Sequence, residues 1–372
     1  MNIYIYIMAM MVFFYIIDYF YAGKYQNKAF FILAFVLWAL FCLKDGSVGN
    51  DSAHYTNFFL GKSSMYGMLN DTSYSGDVLY AKWCLFLKLF SNSEFWYIFA
   101  SYMMLLPIIF YTLYKYAENK IFALFVFFAT FNMLTTTMVA FRQNMATSMI
   151  LFGVNLYLLS DKKVVYKKLA YILFVVSFFF HSSSLLIAPL CVLLLKLHQI
   201  PQKKANIALI LSFVIFIVSS NLFSSFLENI HLVLSFLGLD RLDYYTSDTS
   251  RTYIDISWVR TFLYTLLGFV LLNGKSYDKQ KPIFFNSAFI AVFIHNLFSE
   301  MGLIERTLYV FVILGACTSP LLCVKKQEKQ FLISLVVMIL FIIINYRNME
   351  SAPDNFSELL PYKFSKILNS FL

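Results

Sequence analysis

Apolar runs of about 17 to 25 residues alternate with short polar breaks along the whole sequence, the pattern of helices that cross a hydrocarbon layer roughly 30 Å thick. The runs predict twelve transmembrane helices, over residues 3–21, 28–43, 95–114, 121–139, 142–159, 168–181, 183–197, 206–226, 257–273, 282–299, 303–323 and 330–346. The runs 168–181 and 183–197 are short for a span, so the break between them, "FFFHSSSLL", is expected within reach of the membrane. Residues 78–90 are shorter still and carry Lys82 and Lys88, which predicts a re-entrant or interfacial helix. Three polar segments exceed what a connection needs: 44–94, 227–256 and the tail 347–372.

Composition strengthens this reading. Of 372 residues, 60% are hydrophobic, 20% aromatic and only 13% charged, with mean hydropathy +0.70. The fold class is therefore an all-α polytopic integral membrane protein, with residues 1–372 as one membrane domain and no soluble domain left over. The opening "MNIYIYIMAMMVFFYIIDYF" lacks a basic n-region and a small-residue cleavage site, so it is read as a retained first helix rather than a removable signal. Cys42, Cys84, Cys191, Cys317 and Cys323 lie in or beside apolar runs without C-x-x-C spacing, as packing residues do.

The net charge of +9 gains meaning from its distribution. If "AGKYQNK" (22–28) is cytoplasmic, so are "KYAENK", "DKKVVYKK", "KLHQIPQKK", "NGKSYDKQK" and "KKQEK", and these six loops hold 17 of the 29 basic residues. All 17 are lysines, whereas all six arginines, Arg142, Arg241, Arg251, Arg260, Arg306 and Arg347, fall on the opposite, outer side. Lysine satisfies the positive-inside rule as a point charge; arginine offers a planar fork suited to phosphate or carboxylate. Most carboxylates and four histidines sort outward as well, so any chemistry is expected to face outward. The lysine loops are short and lack interleaved aromatics, which argues against nucleic acid.

Within the outer segments, "GSVGNDSAHYTNF" joins a turn-permissive Gly49 to Asp51 and Tyr55, four residues apart and on one face if a helix starts there. The same "NDS" also reads as an ordinary helix start. Arg142 and Gln143 open a helix at the outer surface, and His181 precedes three serines at a helix break, as a cavity-lining residue would. Glu300, Glu305 and Arg306 sit at the mouth of a late helix. Around Arg251 and Arg260, "DRLDYYTSDTSRTYIDISWVR" mixes acidic, basic and aromatic residues, a combination that suits a sugar phosphate. Phosphate-binding glycine loops, the G-x-S-x-G elbow and H-E-x-x-H are absent from the sequence, so nucleotide, serine-hydrolase and zinc chemistry lack support; neither a metal nor a cofactor is expected.

The order of "VGND-x-x-x-Y", "FRQNMA", "FFFHSSSLL", "ER-x-x-x-Y" and "LLPYK" resembles the EpsG family of Wzy-like bacterial polysaccharide repeat-unit polymerases, over nearly the whole chain. It departs at Asn50, where threonine or a similar residue is expected. The resemblance implies a multi-pass inner-membrane glycosyltransferase of O-antigen, capsule or exopolysaccharide synthesis. It implies an undecaprenyl-pyrophosphate-linked oligosaccharide as donor and acceptor, membrane lipid as surroundings and a chain-length regulator protein as a further partner. Matching residue by residue, it points to Asp51, Tyr55, Arg142, Gln143, His181 and Arg306.

The expected catalytic set is His181 as base, with Asp51 and Glu305 in reserve, and Arg142 and Arg306 facing the pyrophosphate; Gln143, Tyr55, Arg251, Arg260, Glu300 and Tyr362 are expected to bind substrate. Three other readings stay open: an O-antigen ligase using the same donor, a flippase or transporter of lipid-linked sugars, and a membrane acyltransferase. A flippase should show mid-membrane charge and related halves, which the sequence does not display.

Overall fold

The computed structural model describes residues 3–61, 77–130, 133–160, 163–218, 258–273, 282–298, 307–318, 328–351, 362, 363 and 365. Among these the chain is all helix, with no strand. The helices are α1 (Ile3–Phe20), α2 (Gln26–Cys42), α3 (Asn50–Phe59), α4 (Val78–Lys88), α5 (Glu94–Tyr116), α6 (Lys120–Ala129), α7 (Met133–Val139), α8 (Phe141–Leu158), α9 (Val164–Phe180) and α10 (Ser184–Lys196). They continue as α11 (202–218), α12 (Trp258–Leu272), α13 (Pro282–Phe298), α14 (Tyr309–Ala316) and α15 (Glu328–Ser351).

Apart from α3, which forms in a polar segment, and α4, expected as an interfacial helix, each helix lies where an apolar run predicts one. Ile3–Phe20, Glu94–Tyr116 and Glu328–Arg347 are each long and apolar enough to cross a membrane alone. The predicted span 121–139 is instead two helices, α6 and α7, whose axes differ by 68°. Thr130 explains the break: its backbone is extended (φ −120°, ψ 162°), and its hydroxyl donates back to the Val126 carbonyl. The long segment 44–94 is also more ordered than its polarity suggests, since it contains α3 and α4. The segment 227–256 lies outside the described residues, as does most of the tail beyond 351.

Burial follows from how evenly each helix is apolar. α6 and α14 are hydrophobic all round and every residue from Ile121 to Ala129 and from Tyr309 to Ala316 is buried, so they form the centre of the bundle. α1, α2 and α5 pack beside α6, while α5, α9 and α10 pack beside α8. α9, α11 and α15 turn Ile172, Val175, Ile207, Leu211, Ile333 and Val336 outward, apolar faces that only lipid would solvate.

The two ends of the bundle differ chemically. At one end, residues that flank the lysine-rich loops meet: Lys120 donates to Gln26, Gln202 and Gln330 both bond to the Leu272–Asn273 turn, and Tyr19 stacks on Phe331 at 3.7 Å. At the other end lie the close of α2, all of α3 and the starts of α4 and α8.

Candidate active site

The site is built where three helix ends converge. α8 begins at Phe141, and Arg142 in its first turn points toward α3 and α4. Its Nε donates to the Tyr55 hydroxyl at 3.0 Å, with the guanidinium carbon 5.2 Å from the Tyr55 ring centroid. Its Nη1 pairs with the Asp77 carboxylate. His181 ends α9 in extended backbone (φ −160°, ψ 131°), and its Nδ1 stands 3.6 Å from the other Asp77 oxygen.

Local sequence explains each placement. Gly49 precedes α3 at φ +97°, a left-handed conformation that glycine adopts without strain, and a Cβ there would lie 2.8 Å from Val139 Cγ2. The turn delivers α3 with Asp51 and Tyr55 on one face, as the four-residue spacing predicts; Asp51 and Asp77 both act electrostatically on the Tyr55 phenol. Burial raises that phenol above its ordinary range and the Arg142 charge pulls it partly back, so Tyr55 meets the guanidinium as a neutral acceptor. Asp77 is the N-cap residue of α4, a position where an aspartate normally accepts from the helix's own first N–H groups; here its side chain makes no cap bond and turns to Arg142.

Beneath the site lies a second cation. Lys44, fully buried, donates to the Val48 carbonyl (2.8 Å), the Ser52 hydroxyl (2.6 Å) and the Met138 carbonyl (2.9 Å). α7 ends at Val139, and its last carbonyls need partners: Tyr102 takes Thr137 and Met138, Asn144 takes Thr136 and Thr137, and Lys44 takes Met138. Lys44 therefore ties the entry of α3 to the joint between α7 and α8, the two segments that carry Tyr55 and Arg142. Burial pushes its ammonium down to about 7, while Glu94 and Asp45 oppose the fall.

The chain also returns to this place from far along its length. Asp45 N donates to the Lys363 carbonyl and Ser365 N to the Leu43 carbonyl, both at 2.9 Å, flanking Lys44.

Of the residues singled out from sequence, the structure brings Tyr55, Arg142 and His181 around Asp77 and sets Asp51 on the helix of Tyr55. Gln143 is buried in α8. Arg260 is buried at the start of α12 over the Tyr264 ring (5.7 Å), which also meets His295 at 4.0 Å between ring centroids. Tyr362 spends its hydroxyl on the Leu40 carbonyl at 2.7 Å and its ring on Tyr4, a tethering position. Arg251, Glu300, Glu305 and Arg306 lie outside the described residues. Asp77 and Lys44, central here, were not among the sequence candidates. Among the described residues no group of three or more His, Cys, Asp or Glu is placed to hold a metal.

Fold and site together define a helical membrane protein that keeps a charged cluster at one end of its bundle. The chain belongs to the EpsG family, a Wzy-like polysaccharide polymerase family, which it matches over residues 27–364. Membership implies a polymerase-type glycosyltransferase. Neither a curated protein nor a solved structure matches the chain.

Proposed function

We propose that this protein joins lipid-linked repeat units of a bacterial polysaccharide, transferring a glycan from undecaprenyl pyrophosphate onto the next lipid-linked unit at the periplasmic face of the inner membrane. The observation that carries the reading is the cluster of Arg142, Tyr55, Asp77 and His181 at one end of a largely apolar bundle. An ion pair kept largely from water is expensive to maintain, so its retention in a membrane protein fits a functional demand.

An acceptor-sugar hydroxyl attacks the anomeric carbon, and a new glycosidic C–O bond forms as the bond to the pyrophosphate oxygen breaks. The hydroxyl proton passes to His181, an imidazole being suited to exchange near neutral pH. The leaving pyrophosphate keeps the bonding electrons, and its growing negative charge meets the guanidinium of Arg142 and the positive N-terminal end of α8, which stabilises the transition state more than the ground state. Tyr55 fixes the plane of the guanidinium. Arg306 is proposed as a second arginine toward the same charge.

The test is polymerisation by purified protein in detergent or nanodiscs on a synthetic lipid-pyrophosphate repeat unit. His181→Ala and Arg142→Ala are expected to leave single units where the parent protein makes a ladder. Full ladders from both folded variants would defeat the assignment. Lipid A–core offered as acceptor separates a ligase, which would extend it with the donor glycan.

A further inference from the structure

Asp77 has one carboxylate oxygen more than the resting cluster uses. Its Oδ2 is paired with Arg142, while Oδ1 is buried, lacks a hydrogen-bond partner among the described residues and faces His181 Nδ1 at 3.6 Å. His181 Nδ1 is likewise buried with no hydrogen-bond partner among the described residues. Two complementary atoms thus confront each other just beyond bonding distance, which is costly at rest for a buried donor and acceptor. The carboxylate is only 5% exposed, so water does little to relieve it.

The elements make the gap closable. Asp77 stands on the coil that enters α4, His181 on the turn between α9 and α10, and α4 packs against α9. Because Asp77 does not cap its own helix, its side chain can move without uncapping α4.

We infer that Asp77 is a positioning residue shared by Arg142 and His181, which hands its charge from the guanidinium to the imidazolium as the transfer proceeds. This rests on the polymerase reading above. At rest the Asp77 charge balances Arg142. When a pyrophosphate arrives, Arg142 gains a second anion, and its hold on Asp77 weakens. Oδ1 then closes on Nδ1 to a charge-assisted distance of about 2.7–2.9 Å. Donating Nδ1–H to Asp77 leaves His181 Nε2 as the acceptor for the sugar hydroxyl's proton, and once Nε2 is protonated the imidazolium is balanced by a carboxylate that itself stays ionised. Catalytic hydrogen bonds that are long in a resting site commonly tighten only with substrate bound.

The decisive experiment is a double-mutant cycle with Asp77→Asn and His181→Ala, read as kcat and KM on the synthetic lipid-pyrophosphate repeat unit. Asn keeps an oxygen for Arg142 but loses the charge. Asp77→Asn is expected to lower kcat by about 10²-fold or more, with KM changed far less. In the His181→Ala background it should cost less than about threefold, because a residue acting through another has nothing left to act on. A parental kcat in Asp77→Asn, or effects of the two substitutions that multiply in full, would overturn the inference. Should Asp77→Asn fail to fold, Asp77→Glu keeps the charge and shifts the oxygens; it is expected to lower kcat about 10²-fold, since displacements of about 1 Å have that cost, and an unchanged kcat would overturn the inference equally. If His181→Ala and Arg142→Ala are themselves fully active, the polymerase assignment fails; if they are inactive while Asp77→Asn is not, only the role of Asp77 fails.

Discussion

Lys44 places a cation with no exposed surface among three oxygens, at the junction of the α3 entry, the α7 terminus and residues 363–365. Its folded-state value of about 7 lies below the ordinary lysine value, so between the two the unfolded chain binds more protons than the folded one. Stability should therefore rise as pH increases from about 7 toward about 10.4 and fall as pH returns over the same window, this group giving no further slope well below 7. Thermal unfolding in detergent across that range should show the slope, and Lys44→Met should flatten it; an equal slope in the variant would mean another group is responsible. Nothing in the sequence distinguished this lysine, which reads as one more charge at the end of an apolar run. Asp77 was hidden in the same way, one of several acidic residues in a long polar segment without periodicity. Arg142, Tyr55 and His181 were legible because each breaks a local pattern: a cation opening an apolar helix, a tyrosine one helical turn from an aspartate, an imidazole at a helix break.

Helix positions were the most legible feature, since a run of apolar residues bounded by polar ones carries its own limits. What the runs could not show is where backbone bonds fail inside them, as at Thr130, because the break depends on a hydroxyl competing for a carbonyl. Nor could they show which helices touch. α8 and α9 approach closely at Gly153, where an added Cβ would lie 2.8 Å from Phe174 Cε1 and 3.1 Å from the Ala170 carbonyl. That pairing sets Arg142 and His181 side by side across the site. Gly153→Leu should force the pair apart, costing about 1–3 kcal/mol of overpacking and lowering kcat with it. The comparison is a melt and a turnover measurement on the same preparation; an unaltered melt would show that the contact yields without strain.

Across the whole molecule, residues that flank the lysine-rich loops lie at one end and Arg142, Lys44 and His181 at the other, and we propose that the first end is cytoplasmic. We predict that a single cysteine at exposed Asn57 reacts with a membrane-impermeant maleimide in spheroplasts, and that one at exposed Lys167 reacts only after lysis. The native Cys42, Cys84, Cys191 and Cys317 are buried and should stay silent. The reverse labelling pattern would place the cluster in the cytoplasm and refute the proposed sidedness.

The return of Tyr362, Lys363 and Ser365 to the end of α2 and the residues after it has a temporal meaning. Tyr362 and Leu40 are bonded across 322 positions of sequence, so the loop around Lys44 is finished only after that intervening stretch has left the ribosome and been threaded into the bilayer. Until then its strand-like backbone groups stand open. A chain cut short by nonsense or proteolysis before residue 362 keeps Arg142, Asp77 and His181 but lacks the clasp over their foundation. A fragment that ends before residue 362 therefore inserts without the backbone partners of Leu43 and Asp45 that flank Lys44.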